Sequence, residues 1–197
     1  MERGTMADDA ELIGRSRSRP EAFTGIFDRH APHIHRYLAR RLGDQSADDL
    51  VGEVFLVAFR RRDGYDRTRP DARPWLYGIA TNLVAQHRRD EARDFRLRTS
   101  IAPSADVINH ADQVATDLSA SALRDTLQSA LAELNSGDRD VLLLVAQEEL
   151  TYEQVAAALE IPVGTVRSRL HRARIAVRAA LGGSNPLTVF EEGVRHG

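Results

Sequence analysis

The sequence contains no cysteine and no lysine. The first absence excludes disulfides, cysteine-ligated zinc and thiol redox sensing within the chain, and it fits a cytoplasmic setting. The second leaves arginine to supply all 27 basic residues. Arginine suits bidentate contacts to phosphate and guanine, but a total lack of lysine reads as GC-rich coding and carries no functional weight. Aromatics are scarce at 6%, so the cores are expected to be built from Leu, Val, Ile and Ala, which 42% hydrophobic content can supply. No apolar run reaches the ~18 residues of a membrane span, and residues 1–20 lack the apolar centre of a signal peptide, so no membrane insertion is expected. A net charge of −2 excludes binding of polyanions by bulk charge. There is no phosphate-cradling glycine loop, no Ser-His-Asp set and no paired catalytic carboxylates. No catalytic residue, metal or cofactor is expected. The length of 197 residues leaves room for one or two small domains.

Residues 150–181 carry the strongest pattern. Thr151 with Gln154 three residues later is a capping-box start. Val155, Ala156 and Leu159 follow on one helical face. Residues 160–164 break the helix, because Pro162 cannot continue it and Gly164 permits a turn. A second helix is predicted from near Thr165. Its apolar residues Val166, Leu170, Ala173 and Val177 fall at i, i+4, i+7 and i+11, one buried stripe. The rest is polar and mostly basic, with five arginines and no acid between residues 163 and 181. Two short helices, a tight turn and a single-sign basic face make a helix-turn-helix with a recognition helix. An ordinary amphipathic hairpin would intersperse its charges.

From the start of the chain, residues 1–18 read as a frayed tail, with one helical turn at most over 8–13. A helix is predicted from Pro20 to Gly43 on Phe23, Phe27, His30, Ile34, Tyr37 or Leu38, and Leu42. His30 and His33 share a face without a carboxylate beside them, so no metal site is assigned. A second helix starts with Ser46 as its cap and Asp48 and Asp49 in its first turn. Residues 63–73 are a loop. Pro74 starts a third helix whose core face is Trp75, Leu76, Ile79, Ala80, Leu83 and Val84, and whose polar face is Tyr77, Thr81, Asn82 and Gln86. Between residues 60 and 98 there are 11 arginines against six acids, with Phe59, Tyr65, Trp75 and Tyr77 interleaved. That composition suits a surface that holds a nucleic-acid backbone and stacks bases. Residues 99–123 contain three aspartates and no arginine, an acidic and partly extended linker. Helices resume near Ser121, turn at Asn135-Ser136-Gly137, and run again over 138–147.

The fold class is therefore all-α, two small helical domains joined by a flexible acidic linker. The boundaries are a tail at 1–18, a bundle at 19–98, the linker at 99–120, a four-helix domain at 121–182 and a tail at 183–197.

Two stretches resemble a known family. ADDLVGEVFLVAF with RPWLYGIATNLVAQHRRDEAR is similar to region two, and LTYEQVAAALEIPVGTVRSRLHRARIAVR to region four, of the extracytoplasmic-function (ECF) group of bacterial sigma factors. The resemblance spans all but the tails and the linker. It implies a subunit of RNA polymerase with no catalysis of its own. Asp49, Glu53 and Leu56 would meet the polymerase clamp. The minus-ten element would be captured as a single strand by Asn82, by the Asp63-Gly64-Tyr65-Asp66 loop that takes a flipped base, by Trp75, and by Arg88 and Arg89 along the backbone. Arg167, Ser168, His171 and Arg172 would read the minus-thirty-five duplex, with Arg169 and Arg174 nearer phosphates or acidic partners. An anti-sigma factor is the expected regulator.

Three positions depart from the family pattern. Gly52 stands where glutamine is usual, at ~1 kcal/mol of helix propensity. Asn135-Ser136-Gly137 replaces a proline-led turn. His171 is a variable position.

The energetics suit that work. Unstacking a flipped base costs a few kcal/mol, and stacking on an aromatic returns ~1–3 kcal/mol per base. With its net charge of −2, the free chain is expected to bind DNA weakly, polymerase holding the two domains at a fixed spacing. A free-standing helix-turn-helix regulator is the alternative, although it would not need the basic-aromatic bundle. A transposase-like enzyme would need a metal-binding carboxylate set.

Overall fold

A computed structural model describes residues 7–101 and 118–181, and every regular element among them is helical. The tip of the N-terminal tail, most of the linker and the C-terminal tail fall outside the described residues. The chain divides into two compact units, Met1–Pro103 with Ala157–Glu160, and Ser104–Ala156 with Ile161–Gly197.

The first unit begins earlier than its sequence suggests. Residues 9–16 were expected to fray, yet they form α1 (Asp9–Ser16). Asp8 caps it, its Oδ1 accepting the Glu11 N–H at 2.8 Å. Ala10 and Ile13, three apart on one face, are buried. Two turns are marginal in isolation, so packing holds this helix. A 3-10 turn at Pro20–Phe23 leads into α2 (Thr24–Leu42). The next helix, α3 (Asp44–Arg61), starts two residues before the expected cap at Ser46. Gly43 alone joins α2 to α3, at φ 86° and ψ 165°, a conformation essentially reserved for glycine.

The long helix α4 (Arg73–Ile101) starts where Pro74 predicts and runs past the expected linker boundary at 99. The core of this unit is set between α2, α3 and α4. Phe27 packs edge-on to Phe55, ring centroids 4.9 Å apart, and Tyr37 to Tyr77 at 5.3 Å. The Tyr37 and Thr81 hydroxyls share a buried hydrogen bond of 2.8 Å. Tyr77 and Thr81, assigned to the polar face by sequence, are therefore core residues. The Tyr37 and Thr81 hydroxyls satisfy each other, which removes the penalty of burying them.

In the second unit, α5 (Leu118–Glu133) starts three residues earlier than expected. The expected turn at 135–137 is a helix start: Asn135 caps α6 (Ser136–Ala146) by accepting the Asp138 N–H at 2.9 Å. The capping box of α7 (Tyr152–Leu159) forms as read. The Gln154 N–H reaches Thr151 Oγ1 at 3.2 Å, and Gln154 Oε1 accepts the Thr151 N–H at 2.9 Å. Pro162 precedes α8 (Val163–Ala180), whose Val166, Leu170, Ala173 and Val177 are buried as the stripe requires. Ala130 of α5 and Leu134 just after it close over Ala173 and Val177.

Candidate nucleic-acid interface

Helix α3 leaves one face bare. Asp49, Glu53 and Leu56, spaced i, i+4 and i+7, all point to solvent. Leu56 is 47% exposed. Gly52 shares this face with nothing within 4 Å of where a Cβ would stand. An exposed leucine with two acids on the same helical face suits a partner with an apolar and basic surface.

On α4, the burial of Thr81 against Tyr37 fixes the rotation of the helix and turns Asn82 outward. Arg89 is also exposed. Arg88 is half-buried and donates from Nη2 to the Arg41 carbonyl at 2.9 Å, which ties it to the end of α2.

The loop before α4 corrects the aromatic expectation. Tyr65 is 6% exposed, its hydroxyl donating to the Arg69 carbonyl at 2.6 Å and its ring 5.0 Å from Trp75. Burial pushes the Tyr65 hydroxyl pKa far up, and the charges of Asp9 and Asp71 push the same way. Tyr77 is buried, and Phe59 lies under the Arg62 guanidinium, 3.9 Å from its ring centroid. Of the four interleaved aromatics, Trp75 and Phe59 are half-buried, and Phe59 is covered. Tyr65 and Trp75 pack on each other at the loop, Phe59 packs on Phe23 and Tyr77 on Tyr37.

The outer surface of the loop is Asp63, Gly64 and Asp66, all exposed. Asp66 Oδ1 accepts from the Thr68 N–H at 3.1 Å and the Thr68 hydroxyl at 2.7 Å. These bonds hold its carboxyl below the usual carboxylate range, so Asp66 is an ionised turn-former that shapes the loop.

Helix α8 splits the predicted readers into two groups. Arg167, His171, Arg174 and Arg178, at i, i+4, i+7 and i+11, form an exposed row. Ser168 is exposed, its hydroxyl donating to the Thr165 carbonyl at 3.0 Å. Arg169 and Arg172 lie on the other side, against the start of α6. Arg172 donates from Nε and Nη2 to the two oxygens of Asp138, at 3.0 and 2.8 Å. The Arg169 guanidinium covers Gly137, where a Cβ would stand 2.8 Å from Nη1. Asp138 is only 3% exposed. Its hydrogen bond from Arg172, opposed by burial and joined by one from Asn135, holds its carboxyl below the usual range. Arg172 thus fastens α8 to α6 while its side chain stays 57% exposed.

Sequence reading missed Asp9, Arg17 and Asp138. Asp9 is 3% exposed and sits beside His30, 2.8 Å from Nε2, where no carboxylate was expected. The Asp8 cap with Glu11 three residues on was the available signal. Nothing local marks Asp9 or Asp138, because their partners lie 21 and 34 residues away. Among the described residues no group of three or more His, Asp or Glu could hold a metal ion, and no helix is long and apolar enough to cross a membrane.

Comparison with known proteins bears on the same surfaces. Residues 26–94 match the family described as "Sigma-70 region 2", and residues 124–177 match "Sigma-70, region 4". The ECF RNA polymerase sigma factor SigW of Bacillus subtilis is 32% identical over 168 residues, 82% of this chain and 89% of SigW. The ECF RNA polymerase sigma-E factor of Escherichia coli K12 is 30% identical over 178 residues, 86% and 92% of the two chains. Among solved structures, CnrH in complex with the cytosolic domain of CnrY is 26% identical, with a TM-score of 0.62 and coverage of 89% of this chain and 98% of CnrH.

Proposed function

The chain belongs to the ECF group of RNA polymerase sigma factors, and on that premise we propose how its surfaces divide the work. A sigma factor binds core polymerase, recognises the minus-thirty-five and minus-ten promoter elements and promotes strand opening. The unit of α1–α4 takes the clamp on the Asp49, Glu53 and Leu56 face. It takes the minus-ten strand on Asn82, Arg89, Trp75 and the Asp63–Asp66 loop. The helix-turn-helix of α7 and α8 takes the minus-thirty-five duplex along Arg167, Ser168, His171 and Arg174. Its work is binding and not catalysis, carried out in the cytoplasm with its polymerase.

The α8 row is the observation that carries this division. Three arginines and a histidine stand on one face, backed by the stripe that seats the helix in its own core. Three or four phosphate or base contacts are too few to hold duplex DNA at physiological salt, where each neutralised phosphate adds only ~0.9 to the salt slope. The second grip on polymerase supplies the rest as effective concentration.

An anti-sigma factor is the expected regulator. CnrH is solved with one partner of its own, and a similar partner here would cover the acidic-apolar face of α3 and the basic row of α8.

The test is reconstitution. The purified chain mixed with core RNA polymerase should initiate from a subset of genomic promoter fragments that neither component transcribes alone. Tight duplex binding by the chain without any polymerase binding would overturn the reading in favour of a free-standing regulator.

A further inference from the structure

Helix α1 runs alongside the loop of residues 62–72 and is tied to it at both ends. At one end the Arg17 guanidinium donates to the Asp63 carbonyl and stands 3.4 Å from the Asp63 carboxylate, while Arg62 Nε reaches the Ser16 carbonyl at 3.4 Å. In the middle, the Arg67 guanidinium lies over Gly14, where a Cβ would stand 3.1 Å from Nε. At the other end Asp9 Oδ2 accepts the Ala72 N–H at 2.8 Å, and the Asp9 N–H donates to the Pro70 carbonyl at 3.2 Å. Asp9 is itself fixed from α2, by the His30 ring at 2.8 Å and by Arg29, whose Nη2 also holds the Ala7 carbonyl at 3.0 Å.

The dimensions give this arrangement its meaning. Residues 63–72 could extend ~30 Å, but eight helical steps of α1 keep their anchors on the order of 12 Å apart. The surplus chain must bow away from α1. Asp63, Gly64 and Asp66 are exposed on that bow, while Tyr65 is buried at its root. We propose that α1 acts as a splint, with Asp9 and Arg17 as positioning residues that hold the 62–72 loop in the shape that receives the minus-ten strand. The proposal rests on the loop's role given above. Arg17 and Asp63 are both substantially solvent-exposed, so their pairing adds little stability; what it fixes is where the loop starts.

The test uses holoenzyme of the full chain on a promoter identified by the reconstitution, with permanganate reactivity of unpaired thymines as the readout. Arg17→Ala should lower opening about two- to fivefold, the range of an exposed pairing. Its Tm and its affinity for core polymerase should match the wild type. Arg17→Lys should recover part of the loss. Asp9→Asn, the variant at the buried end, should show the same opening defect where it folds.

The salt slope of promoter binding separates positioning from a direct phosphate contact. A lost contact lowers it by ~0.7–0.9, whereas positioning leaves it unchanged. Wild-type opening by Arg17→Ala, or a lowered slope, overturns the proposal. Asn82→Ala and Arg89→Ala serve as controls. If they open normally, the minus-ten surface itself is misassigned and the splint falls with it. If they fail while Arg17→Ala opens normally, only the splint falls.

Discussion

Arg172 closes a two-bond fork on Asp138, joining the middle of the recognition helix to the first turn of α6. Asp138 also completes the cap of α6 with Asn135, whose Nδ2 donates to Oδ2 at 2.8 Å. One nearly buried carboxylate thus fixes the start of one helix and the seat of another. Arg172→Ala should lower the Tm of the chain more than Arg167→Ala does, because it strips a buried charge of its partner. Arg172→Lys should not restore the loss, since an ammonium cannot make the planar fork. Equal melting of all three variants would refute this assignment.

The exposed row makes a different forecast for DNA. Arg167→Ala should relax discrimination at one minus-thirty-five position by ~1–3 kcal/mol. Arg174→Ala should weaken all sequences alike and lower the salt slope by ~0.9. Holoenzyme binding to a panel of single-base promoter variants at several salt concentrations distinguishes the two.

Two glycines nine residues apart, one before α3 and one within it, should respond with opposite signs. Gly43→Ala forces a side chain into a φ 86° corner and should cost roughly 1–3 kcal/mol. Gly52→Ala fills open space on an exposed helix face and should add ~0.5–1 kcal/mol. Urea unfolding measures both.

On the polymerase side, Leu56→Asp should reduce affinity for core polymerase with little change in Tm, because about half of the side chain already faces solvent. Binding of labelled chain to core polymerase, beside a thermal melt, checks both halves of that statement.

Acid should loosen both units from the same kind of group. Asp9 is pushed up by burial, but the bonds from His30, the Ala72 N–H and Arg29 outweigh that, and its pKa lies below the ordinary 3.8. Asp138 is lowered too. A lowered carboxylate favours the folded state while ionised, so its contribution is complete above the ordinary value and is lost as pH falls through the lowered one. Stability should therefore fall below about pH 4, and Asp138→Asn should flatten part of that fall in a series of melts.

Much of the fold was legible in the sequence because it is written in local patterns. The α7 capping box and the α8 stripe are patterns a few residues long, and both formed as read. Pro74 marked the start of α4 for the same reason. The failures are non-local. Helix α1 looked like a tail because two turns have no intrinsic stability, and its contacts with the turn at 20–23, with α2 and with residues 62–72 hold it. Tyr77 and Thr81 looked solvent-facing because their polar atoms gave no sign of partners from another helix. The basic face of α8 was visible as composition, but which arginines were already engaged depended on Asp138, 34 residues away.

The single-residue join at Gly43 has a consequence for the order of events in folding. Closing a loop costs more entropy as it lengthens, and contacts between near neighbours in sequence form first. The α2–α3 hairpin turns on one residue, so it can zip as soon as residue 61 is available, bringing the Asp49–Leu56 face with it. The bond from Ala72 to Asp9 spans 63 residues and must wait for the chain to return. A newly made molecule therefore sets its Asp49–Leu56 face before its 62–72 loop.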